Sequence, residues 1–124
     1  MKIIESAQKA LSDEIEGLSL LKEFFNSDFE KAVDAIFNSK GKVVVTGVGK
    51  SGHIGRKISA TLSSTGTPSY FIHPTEASHG DMGMIEEKDI ILAISWSGET
   101  TELGNIVKYA LENKIKLIGL SSNK

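Results

Sequence analysis

The sequence predicts an α/β fold, a doubly wound parallel sheet preceded by two N-terminal helices, and three observations carry that prediction. Short apolar runs at 42–46, 69–73, 89–95 and 116–120, the first of them continuously β-branched from Val43 to Thr46, alternate with segments of helical spacing. Runs this apolar do not suit strands with one wet face; they belong in a sheet covered on both sides, which is the parallel arrangement. Glycine-containing turns follow the first and third runs and lead directly into helical segments, the connection expected of strand–helix–strand units.

Taken in order, Ile4, Ala7, Leu11, Ile15, Leu18, Leu21 and Phe25 recur at spacings of three and four and make one apolar stripe on a first helix. Gly17 weakens that helix without breaking it. Ser27-Asp28-Phe29-Glu30 has capping-box spacing, and Phe29, Val33, Ile36 and Phe37 form the stripe of a second, shorter helix closed by Lys40-Gly41. Lys42-Val43-Val44-Val45-Thr46 reads as a strand buried on both faces. A helix over 51–65 carries Ile54, Ile58 and Leu62 at fourfold spacing, and Gly66-Thr67-Pro68 punctuates the chain before the strand at 69–73. A loop with His, Pro, Glu, Gly and Asp precedes the strand at 89–95. A helix with Leu103, Ile106, Val107, Ala110 and Leu111 then leads to the strand at 116–120. The sequence stops at Ser121-Ser122-Asn123-Lys124, on the tip of that strand, where such a sheet expects a covering helix; we therefore expect a single domain over 1–124 that is incomplete at its C-terminus.

Composition narrows the function classes. Fourteen basic against sixteen acidic side chains leave a net charge of −2, which removes the footprint of a protein that coats nucleic acid. The absence of cysteine excludes disulfides, thiolate metal sites and cysteine nucleophiles. No hydrophobic stretch marks a signal peptide, and the longest apolar run, 90–94, is far too short to cross a bilayer. The expectation is a cytoplasmic protein whose partner is neither nucleic acid nor membrane.

Three clusters can carry chemistry. Gly47-Val48-Gly49-Lys50-Ser51-Gly52 satisfies Gly-x-Gly-x-x-Gly between a strand and a helix. A dinucleotide fingerprint is disfavoured, because the next strand ends in His73 where an acid would hold a ribose, and Lys50 puts a cation inside the turn. A P-loop fails because its first glycine would fall at Val44 in mid-strand. What survives is an anion site, with Gly49, Lys50 and Ser51 at a helix N-terminus, or a tight turn with a purely structural role. The second cluster, Ser95-Trp96-Ser97-Gly98-Glu99-Thr100-Thr101-Glu102, offers the hydroxyls of Ser95, Ser97 and Thr100 to phosphate oxygens; simple N-capping by Thr100 or Thr101 is the plainer alternative. The third, His73-Pro74-Thr75-Glu76-Ala77-Ser78-His79-Gly80-Asp81, can bind a metal, exchange protons or, better, hydrogen-bond sugar hydroxyls. Trp96 either covers a sugar face or packs, and His53 reads as a surface or packing residue.

Together with Arg56, Lys57, Ser64-Thr65-Gly66-Thr67-Pro68 and the three clusters above, the sequence resembles the sugar isomerase (SIS) domain family, within it the arabinose 5-phosphate isomerases. The resemblance implies a SIS sandwich that interconverts ribulose 5-phosphate and arabinose 5-phosphate through an enediol and so supplies the Kdo sugar of lipopolysaccharide or capsule. It implies phosphate and hydroxyl contacts at Ser95, Ser97 and Thr100, sugar contacts at Gly66, Thr67, His73 and His79, and catalytic roles for Lys50 and Glu102. It implies zinc at His73 as an inhibitor, hence no required cofactor, and a homodimer or homotetramer. Full-length relatives continue with another glutamate and a histidine tied to catalysis and then with CBS domains, none of which this sequence contains. The alternative is a SIS module that binds a phosphosugar without turning it over.

Overall fold

A computed structural model describes residues 2–96 and 101–122. The structure divides into two compact units, Met1–Asp34 and Ala35–Lys124. Among the described residues no helix is long and apolar enough to cross a membrane.

The first unit holds α1 (Lys2–Leu20), a 3-10 turn (Leu21–Phe24) and most of α2 (Ser27–Phe37). The stripe predicts a helix running on to Phe25; the α-helix instead stops at Leu20 and tightens into the 3-10 turn, a common way for a last turn to end. The capping box is displaced by one residue. Asn26, not Ser27, caps α2, its Oδ1 accepting from the N–H groups of Asp28 at 3.0 Å and Phe29 at 3.1 Å. Phe25, just before the cap, stacks on Phe29 with ring centroids 4.8 Å apart. None of the α1 residues is buried, so its apolar stripe lies exposed along its length.

The second unit is built on four parallel strands, β1 (Val43–Gly47), β2 (Ser69–Phe71), β3 (Ile90–Ile94) and β4 (Lys116–Leu120), in the order β2-β1-β3-β4. Every residue of β1 is buried, as its valine run predicts. Val43 and Val45 pack with Ile94, Phe71 and Leu92 beneath α3 (Gly49–Ser64), which contributes Ile58 and Leu62. Val44 faces the other way, with Ile91 and Ile72, toward α4 (Pro74–Ser78) and α5 (Gly104–Glu112), which contribute Ala77, Ile106 and Ala110. Helices thus cover both faces, and the doubly wound arrangement holds.

Three local expectations change. The fourfold stripe predicts that α3 buries Ile54, yet Ile54 is 57% exposed and the helix buries Gly52, Gly55 and Ser59. The reason is close approach: a Cβ on Gly55 would lie 3.1 Å from Val45 Cγ1 and 3.0 Å from the Phe71 ring, so the small side of the helix is the one that fits the sheet. The polar loop after β2 contains a short helix, α4, because Pro74 supplies a first-turn residue and His73 a cap. Finally, β4 is an edge strand with four of five residues exposed rather than a strand buried on both faces, and Leu111 on α5 is exposed too.

At the amino edge of the sheet the polar groups are closed off. Asp89, 4% exposed, accepts from Lys42 N–H at 2.7 Å and from Glu86 N–H at 2.8 Å, pinning β1 to the turn that enters β3. α3 ends in a Schellman motif: Thr67 N–H donates to Leu62 O at 2.8 Å and Gly66 N–H to Ser63 O at 3.4 Å, with Gly66 at φ +100°.

Candidate functional site

Chain order reverses between β1 and β3, whose carboxyl ends therefore open the crevice where ligands sit in sheets of this kind. β1 reaches that edge at Gly47, and the turn into α3 is built on glycine. A Cβ on Gly52 would lie 2.7 Å from Gly47 O, so only glycine lets the helix begin this close to the strand. Gly49 takes φ +60°, a left-handed conformation that other side chains seldom adopt.

The N-terminus of α3 is unusually positive. Val48 at the N-cap offers no side-chain hydrogen bond, the first turn holds no acid, and Lys50 stands within it. Helices ordinarily answer the dipole and the free N–H groups at this end with a capping oxygen or a carboxylate. Here a cation adds to them, and Lys50 makes no ion pair among the described residues. An external anion answers the arrangement best. Ser51 follows, half-buried, and Ser95 lies across the crevice just past β3, 6% exposed, with its N–H donating to Leu120 O at 3.0 Å. Ser51 and Ser95 line a groove of about 240 Å³ with Ile94, Trp96, Leu120 and two further serines. Trp96 is 82% exposed, its carbonyl accepting from both the N–H and the hydroxyl of Ser122, so the indole does not pack into the described chain.

The other predicted residues divide by edge. His73 follows β2 to the carboxyl edge and caps α4, its Nδ1 accepting from Thr75 N–H at 3.1 Å. His79 ends α4, which lies against α5 and the 3-10 turn Thr101–Leu103; Asn105 of α5 donates to Ser78 Oγ at 3.0 Å. Glu102 sits on that 3-10 turn, exposed. Ser97 and Thr100 lie outside the described residues. Gly66 and Thr67 are not brought to this edge. They close the far end of α3, a helix of 16 residues and so ~24 Å in length, and within one chain they do not share a ligand with Lys50.

His73 Nδ1 is engaged as an acceptor from Thr75 N–H at 3.1 Å. No three His, Asp or Glu side chains come together as a metal site among the described residues.

One residue that sequence reasoning passed over belongs to this edge. Thr46 ends the valine run one residue before Gly47 and is wholly buried, with no hydrogen-bond partner for its Oγ1. The available signal was a hydroxyl where a fourth valine would pack as well.

Comparison with known proteins gives this geometry a family. The SIS domain model matches residues 35–124, which is the second structural unit. The chain is 54% identical over 119 residues to the arabinose 5-phosphate isomerase KdsD of Yersinia pestis, covering 96% of this chain and 36% of that protein. It is 47% identical over 123 residues to the KdsD of Pseudomonas aeruginosa, covering 99% and 38%. The chain thus spans little more than a third of the curated relatives it matches. Among solved structures, an Escherichia coli CFT073 protein in complex with arabinose 5-phosphate superposes with a TM-score of 0.91 at 37% identity, over 98% of this chain and 65% of that one. A helix-flanked parallel sheet, matched by a family model over most of the chain's length, places this chain in the SIS domain family.

Proposed function

We propose that this chain forms the sugar-phosphate site of an arabinose 5-phosphate isomerase, acting on the pentose phosphate from which Kdo is made. The observation that carries the reading is the acid-free, uncapped N-terminus of α3 with Lys50 in its first turn, set at the β1–β3 crevice of a chain so similar to enzymes of that name. The N–H groups of that turn and the hydroxyls of Ser51, Ser95, Ser97 and Thr100 hold the phosphate. His73 and His79, from the carboxyl edge beyond β2, hold sugar hydroxyls.

Aldose–ketose isomerisation removes a proton beside a carbonyl and returns it to the neighbouring carbon, so the site needs a base and a positive group on the developing oxyanion. Lys50 takes the second role and Glu102 moves the proton. Gly66 and Thr67 reach a sugar only from another copy of the chain. The exposed stripe of α1, with Leu11, Ile15 and Leu18 each more than half exposed, supports a homodimer or homotetramer.

A proton NMR time course on arabinose 5-phosphate in D2O tests the reading. Appearance of ribulose 5-phosphate, abolished in Lys50→Ala, is the expected result. Protein-dependent line broadening without turnover would instead make this chain the non-catalytic phosphosugar-binding module, and neither effect would overturn both readings. Light scattering that shows a monomer at high protein concentration would refute the oligomer.

A further inference from the structure

Among the described residues, Thr46 Oγ1 is the one buried side-chain oxygen or nitrogen without a hydrogen-bond partner. The residue is 0% exposed and lies in the most buried strand of the sheet. Its β-branch explains the packing, but valine has the same shape and would leave no hydroxyl stranded. The chain therefore carries an unmade hydrogen bond at one position of the candidate site, next to the turn that opens α3.

Register shows what lies nearby. Thr46 pairs with Ala93 on β3, whose side chain is a lone methyl. Ser95 continues the ladder through its N–H bond to Leu120 O, and two residues along a strand return to the same face. Thr46 and Ser95 thus stand diagonally across the β1–β3 crevice on one side of the sheet.

We propose that Thr46 is a positioning residue of the anion site: when an anion binds in the crevice, the Thr46 hydroxyl donates to Ser95 Oγ and so directs the Ser95 hydroxyl at the anion. The proposal deepens the sugar-phosphate reading and rests on it. A serine that accepts one hydrogen bond while donating another is held in a single rotamer and polarised toward its acceptor. The bound state gains a hydrogen bond that the free protein lacks, and only such a difference between states adds to affinity.

Calorimetric titration of the full chain with inorganic phosphate and with arabinose 5-phosphate tests this, using Thr46→Val, Thr46→Ser, Ser95→Ala and the Thr46→Val/Ser95→Ala double variant. Thr46→Val should weaken both ligands about fivefold to tenfold, while Thr46→Ser stays within about twofold of the wild type. The unfolding midpoint of unliganded Thr46→Val should equal or exceed that of the wild type, an effect opposite to the loss of affinity. In the Ser95→Ala background Thr46→Val should change nothing further. Wild-type affinity in Thr46→Val, an equal loss in both backgrounds, or a lowered midpoint, which would mean a hydroxyl already paired in the unliganded protein, would each overturn the proposal. If phosphate binds and arabinose 5-phosphate binds no tighter, the sugar reading fails and Thr46 is judged on phosphate alone. If the wild type binds neither, both fall.

Discussion

The two edges of the sheet treat polar groups in opposite ways. At the amino edge several are answered: both Asp89 oxygens accept backbone N–H groups, the carbonyls of Leu62 and Ser63 near the end of α3 accept from Thr67 and Gly66, and Tyr70 Oη donates to Met84 O at 3.2 Å. At the carboxyl edge some groups stay open, with no side-chain cap on α3, Lys50 unpaired among the described residues and Thr46 without a partner. Satisfied groups hold a fold together; unsatisfied ones are what a ligand can satisfy. On the proposed reading one end of the strands serves stability and the other binding, and variants at the two ends should separate the two properties.

The largest effect belongs to the amino edge. Asp89→Ala strands two backbone N–H groups and should cost about 3 kcal/mol in chemical denaturation. If it also moved the phosphate affinity of the folded protein, the separation of the two edges would break. Gly52→Ala comes next, because its Cβ would press on Gly47 O in a turn that cannot yield. It should cost roughly 2 kcal/mol and, unlike Asp89→Ala, weaken phosphate binding in titration as well. Lys50→Met should leave the unfolding midpoint unchanged while lowering phosphate affinity about tenfold, the pattern of a carboxyl-edge residue.

A gentler test uses pH. Burial, with the nearby charges of Asp89 and Glu86, lifts the Tyr70 hydroxyl from 10.0 to about 12. A raised folded value means that the folded protein holds this proton longer than the unfolded chain. The stability contributed is therefore full below pH 10 and drains away as pH climbs toward 12. Denaturation midpoints should fall across that window, and Tyr70→Phe should flatten the fall; an equal slope in the variant would acquit Tyr70. The smallest effect lies on α1, where Lys9 and Asp13 pair at 2.9 Å in full view of solvent. Asp13→Ala should change stability by less than ~0.5 kcal/mol.

Much of this architecture is legible in the residues alone. Val43, Val44 and Val45 announce a strand buried on both faces because no solvated strand needs three consecutive valines, and Gly47 to Gly52 announce a tight strand-to-helix turn because glycine alone allows so close an approach. Periodicity misreads the face of α3 because it weighs Ile54 by its hydrophobicity, whereas packing against β1 selects helix positions by their smallness. The distance of Gly66 and Thr67 from Lys50 is hidden from the sequence for another reason. A motif lies in one dimension, and the length of α3 carries its two ends to opposite edges.

By itself the sequence determined the strand–helix alternation, the parallel sheet and the chemical character of the turn after β1, since hydrophobic period and glycine placement are local properties. Tertiary structure alone decided the rest. Strand order brought Ser51 opposite Ser95, a helix axis took Gly66 and Thr67 away from them, and burial left the Thr46 hydroxyl unpaired beside the crevice. Those outcomes depend on which groups meet across the chain, and a hydrogen bond exists only where its donor and acceptor are brought together.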